Sequence, residues 1–75
     1  MKSYNWVSKD SDLSNAIAGG MAGNGEPFYV CRAKHIADGR TIEIPGKLYL
    51  KFDCCYIGFN EKEYCYNDFL VLTTT

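Results

Sequence analysis

Four cysteines, one histidine and a run of glycines are the residues of this 75-residue chain that chemistry would call on first. Cys31, Cys54, Cys55 and Cys65 would form a disulfide framework in an oxidising compartment, but nothing in the opening MKSYNWVSKD directs the chain to one. Free thiols in a cytoplasmic protein are therefore expected, packed as small buried hydrophobes. Cys54 and Cys55 are adjacent, so an extended strand points them to opposite faces. A Cys54 to Cys65 bridge would call for a hairpin whose paired residue numbers add to 119. Cys31 and His35 share a strand face but lie roughly 13 Å apart at strand rise, beyond one metal's reach. His35 has no Ser or Asp tied to it by sequence, so a core or surface histidine is expected rather than a catalytic one. Gly19, Gly20, Gly23 and Gly25 lack the following Lys and Ser or Thr, and the helix, of a phosphate loop. Glu61 and Glu63 have a spacing compatible with a pair of glycosidase acids, yet they flank a turn where solvated charges are expected. No enzyme and no cofactor or metal are expected from this inventory.

Charge and composition narrow the partners. Eight Lys plus Arg against nine Asp plus Glu give a net charge of −1, which leaves no basic footprint for nucleic acid or for anionic membranes. No apolar run is long enough to span a bilayer. With 47% apolar and 15% aromatic residues the chain should fold as one domain over residues 1–75. Ordering so short a chain nearly cancels the burial it can achieve, so a staple or a partner subunit is expected.

Strand and turn signals then supply the elements that must position these side chains. Residues 4–7 read as an aromatic strand, 8–14 as a polar loop and 15–18 as a short apolar segment entering the glycine turn. Residues 27–36 alternate, with Tyr29, Cys31, Ala33 and His35 on the expected core face and Phe28, Val30, Arg32 and Lys34 on the other. Arg32 is expected to pack its stem and meet a carboxylate such as Glu63. After a turn at 37–40 come a strand at 41–44, a break at Pro45 and Gly46, a long strand at 47–59, a turn at 60–62 and a last strand at 64–72. Six strands with no helix longer than a turn predict an antiparallel all-β sheet or sandwich.

The order of several short motifs resembles the DM9 repeat: Trp6, then Asn15, Ala16 and Ile17, then Gly19 and Gly20, then Phe28, Tyr29, Val30, Cys31, Arg32 and Ala33, then Pro45, Gly46 and Lys47, then Glu63, then Phe69, Leu70, Val71 and Leu72. The pattern spans residues 6–72. The resemblance implies an all-β carbohydrate-binding module of the kind found in lectins for mannose-type sugars. Such proteins usually carry two repeats, so it also implies that two copies of this chain pair as a homodimer.

By the same resemblance the sugar is held by the Lys of the Pro-Gly-Lys motif, an acid shortly before it and an Asp after the glycine pair. Lys47 matches the first and Glu43 the second. At the third position Gly20 is followed by Met21, and Asn24 is the nearest polar side chain. The expected site is thus Lys47, Glu43, Asn24, Gly20 and Met21, in a groove between the glycine turn and Lys47. A lysine offers three donors to a hydroxyl-rich ligand, and an exposed ring beside it would cover the C–H face of a pyranose. Two functions follow: a non-catalytic mannose-type sugar-binding module, or a protein-interaction module that keeps the fold without the sugar site. Convergence of Lys47 and Glu43 would favour the first.

Overall fold

The structure is a computed structural model that describes residues 3–74. Seven strands follow in order: β1 (Tyr4–Ser8), β2 (Ala18–Met21), β3 (Pro27–Ala37), β4 (Arg40–Tyr49), β5 (Cys54–Phe59), β6 (Lys62–Tyr66) and β7 (Leu70–Thr74). All pairings are antiparallel, in the sheet order β1-β7-β3-β4-β5-β6 with β2 attached to β3. No helix occurs among the described residues. The all-β expectation is met.

The two tight hairpins have a common cause. Asp38 and Gly39 join β3 to β4 with φ of 51° and 73°, and Asn60 and Glu61 join β5 to β6 with φ of 50° and 63°. Two successive left-handed residues match the right-handed twist of the flanking strands.

Strand boundaries depart from expectation at four places. β4 runs straight through Pro45 and Gly46, because β5 pairs with β4 only at residues 47–49. At Pro45 the second edge of β4 is unclaimed by β5, where a missing N–H is tolerated. The long strand expected over 47–59 is instead cut at residues 50–53, where Phe52 N–H donates to Tyr49 C=O at 2.9 Å and Asp53 turns with φ 48°. The strand expected over 64–72 divides between β6 and β7 around Asn67 and Asp68, which lets Phe69 drop into the core. The apolar segment expected at 15–18 moves on to β2, where a register shift lies between Ala18 and Gly20.

The core gathers on one face. Cys31, Ala33, Leu48, Cys55, Ile57, Phe69 and Val71 form the buried cluster, which confirms the expected inward side of β3. His35 extends this face: it is buried, its Nδ1 is hydrogen-bonded to the Tyr66 hydroxyl, and the rings of Phe59 and Tyr64 lie 4.7 and 4.6 Å from its own. The β5–β6 hairpin therefore folds back over β3.

All four cysteines are bonded, Cys31 to Cys55 and Cys54 to Cys65, which corrects the expectation of free thiols. The adjacency that sends Cys54 and Cys55 to opposite faces gives each its own partner. Cys65 lies opposite Tyr56, so it meets Cys54 as a diagonal neighbour with Cα atoms 5.6 Å apart, and directly opposed cysteines are not needed. The other bridge joins β3 to β5 across the intervening β4. In a flat sheet, positions two strands apart are separated by about 9.5 Å, whereas the Cα atoms of Cys31 and Cys55 are 6.1 Å apart. The sheet is sharply curled at β4, and Gly46 permits it: a Cβ there would collide with the Tyr56 carbonyl oxygen and stand 2.9 Å from Ile57 Cγ2.

Candidate functional site

Opposite the core lies an outer face assembled by cross-strand register. β3 contributes Phe28, Val30, Arg32 and Lys34, and β4 contributes Glu43, Pro45, Lys47 and Tyr49, with Val30 facing Lys47, Arg32 facing Pro45 and Lys34 facing Glu43. On the far side of β4, Tyr56 faces Lys47. β7 and β1 add Leu70, Leu72 and Trp6 through the pairs Arg32 to Leu70 and Trp6 to Leu72.

Lys47 is exposed, and its Nζ stands 5.1 Å from the centroid of the Phe28 ring. That ring belongs to an aromatic cluster: Phe28 to Tyr49 at 5.8 Å, Tyr49 to Tyr56 at 6.1 Å, Tyr49 to Phe52 at 6.3 Å and Phe52 to Tyr56 at 6.5 Å between centroids. Phe52 is 55% exposed. The ammonium thus lies at the electron-rich face of Phe28 beside half-buried tyrosines.

Gly19 and Gly20 reach the same ring from the other side. A Cβ at Gly20 would sit 2.6 Å from Phe28 Cζ, and one at Gly19 3.1 Å from Phe28 Cε1. Both positions are glycine because β2 lies against that ring. Phe28 therefore occupies the space between the glycine pair and Lys47, and it joins Gly20 and Lys47 into one patch. Met21 follows, 69% exposed. Asn24 lies at the tip of the β2–β3 turn, where its Oδ1 accepts from Glu26 N–H at 3.0 Å.

Glu43 belongs to a different neighbourhood. Its Oε2 lies 2.9 Å from Arg32 Nε, close enough for an ion pair although the N–H is not aligned for a hydrogen bond. Arg32 in turn stacks over Trp6, with Cζ 4.5 Å from the ring. The expected partner of Arg32, Glu63, is on β6 opposite Gly58, so Glu43 replaces it. Glu43 and Lys47 share a face but lie four residues apart on one strand, about 13 Å at strand rise, and do not converge. Arg32, Lys34 and Glu43 edge a depression of about 240 Å³ whose other walls are Tyr66, Asp68, Phe69 and Leu70.

A model of the DM9 repeat matches residues 1–66 of the chain. The chain belongs to the DM9 repeat family. No curated protein and no solved structure matches it. The DM9 motif positions have a spatial logic: Trp6 lies under Arg32, the glycine pair and Lys47 meet at Phe28, and Gly46 permits the curl of the sheet. Phe69 to Leu72 lie beyond the matched residues and supply the buried Phe69 just before β7 and the buried Val71 within it.

Phe28 is the residue that sequence reasoning left without a role. Its signal was present, since an aromatic residue four positions before the outward Arg32 and eight after a glycine pair must lie under whatever strand the glycines form.

Proposed function

We propose that this DM9 repeat is a non-catalytic carbohydrate-binding module of the mannose class, and that the sugar is taken up around Lys47. The observation that carries this reading is the Lys47 ammonium held over Phe28 at the edge of an aromatic cluster with Tyr49, Phe52 and Tyr56. The ammonium offers three donors to sugar hydroxyls, and an exposed ring such as Phe52 covers a pyranose C–H face. Gly20 adjoins this patch at Phe28, and Met21 and Asn24 follow it along β2 and the β2–β3 turn. Glu43 serves the same outer face from a distance, by fixing Arg32. The two disulfides suit an oxidising compartment rather than the cytoplasm.

Two observations favour a second reading, a protein-interaction module. Glu43 is engaged by Arg32 instead of converging with Lys47, and Met21 offers vicinal hydroxyls only a weak thioether acceptor where the family has an Asp.

Calorimetric titration with mannose and mannan separates the two. Under the carbohydrate reading Lys47→Ala weakens binding by about 1 to 3 kcal/mol, with the thermal midpoint nearly unchanged because Lys47 is exposed. Equal binding by mutant and wild type removes Lys47 from the site, and no binding to either mannose or mannan overturns the mannose-class reading and leaves the interaction module.

A further inference from the structure

β3 is longer than the strands that flank it. Towards β4 it is paired from Tyr29 to Ala37, but towards β7 its register ends with Cys31 opposite Val71 and Arg32 opposite Leu70. Residues 33–37 therefore present one edge that no strand among the described residues claims. The phase of that edge is fixed by a hydrogen bond further down: Val30 N–H donates to Ile17 C=O, away from β4. Alternation along a strand then directs the N–H and C=O of Lys34 and Ile36 outward from the same edge, with Ala33, His35 and Ala37 turned to β4. Of the usual edge protections only the charge of Lys34 is present: residues 33–37 contain no proline, and β3 registers with β4 there without a shift. Ile36 is 73% exposed.

We infer that a second copy of this chain pairs here, β3 edge to β3 edge, antiparallel about a two-fold axis at His35. In this register Lys34 of each copy exchanges hydrogen bonds with Ile36 of the other, which makes about four backbone bonds. The alternative register that centres on Lys34 sets two ammonium groups face to face and forms fewer bonds. Charge supports the choice. Among the described residues the ion pairs are Lys9 to Asp53 and Arg32 to Glu43, so Lys34 and Asp38 are uncommitted. Pairing about His35 carries Asp38 of one copy towards Arg32 and Lys34 of the other. It also brings the exposed Ile36 of one copy to the depression beside Lys34, whose lining includes Phe69 and Leu70. The interface is isologous and closes as a dimer rather than growing into a fibre. Edge pairing and sugar binding are separable, since one uses the strand edge and the other the face around Lys47.

Sedimentation at tens of micromolar tests this pairing. Wild type is expected at about 17 kDa, twice the 8.5 kDa chain. Ile36→Pro removes an N–H that the β3–β4 ladder does not use, and Ile36→Lys sets like charges opposite Lys34. Both variants are expected as folded 8.5 kDa monomers with circular dichroism like that of wild type. If Ile36→Pro fails to fold, Ile36→Lys alone decides, because its side chain lies outside the core. A monomeric wild type overturns the inference, and so does a dimer that persists in folded Ile36→Lys, which would place the contact at another edge.

Discussion

Arg32 links the β1 and β4 sides of the outer face, with its guanidinium over Trp6 and its Nε against Glu43. Both contacts are partly solvated, so their joint worth is modest. Arg32→Ala is expected to lower stability by about 1 kcal/mol in urea denaturation. Arg32→Lys should recover only part of this, because an ammonium lacks the planar face that lies on an indole. Asp12 differs from the other carboxylates in accepting a hydrogen bond from Ser14 N–H at 3.0 Å and another from the Ser14 side chain, which together hold its carboxyl below the usual aspartate range. A depressed carboxylate contributes stability above its unfolded pKa and loses it as pH falls through the folded value. A carbon-detected NMR titration should therefore show Asp12 protonating at lower pH in the folded chain than in Ser14→Ala, where the side-chain bond is gone.

At the level of strands, what limits stability is how tightly the sheet must curl and turn. Gly46→Ala places a methyl against the Tyr56 carbonyl and Ile57, and should cost about 3 kcal/mol by forcing β5 away from β4. Glu61 holds φ 63° without the freedom of glycine, so Glu61→Gly is expected to raise stability by about 1 kcal/mol in thermal or urea melts. Much of this layer was legible in the chain. The alternation of residues 27–36 named the buried face of β3, and the turn chemistry of Asp38, Gly39 and Asn60 located both hairpins. Most of what escaped is non-local. Pro45 reads as a break until it is known that β5 leaves β4 at residue 47, whereas Leu50 and Phe52 read as strand because the turn from Tyr49 to Phe52 carries no Gly or Pro to mark it. The candidate site divided in the same way. Lys47 and Gly20 were visible as motif residues, but their common support, Phe28, and the attachment of Glu43 to Arg32 depend on a cross-strand register that sequence does not print.

For the molecule as a whole, the bridges take the place of a large core. The Cys31–Cys55 bridge closes 24 residues and Cys54–Cys65 closes 11, and replacing either pair by alanine is expected to cost about 3 kcal/mol in urea melts. Reduction by dithiothreitol should depress the thermal midpoint correspondingly. The first and last strands, β1 and β7, lie side by side with Tyr4 opposite Thr74. A force applied to the two ends would thus load their hydrogen bonds one at a time, as in a zipper, rather than all together in shear. Once β1 and β7 had parted, the two overlapping loops would keep residues 31–65 from paying out, so the oxidised chain would reach only about half the contour length of the reduced one. In mechanical terms the protein is soft at its ends and inextensible at its centre.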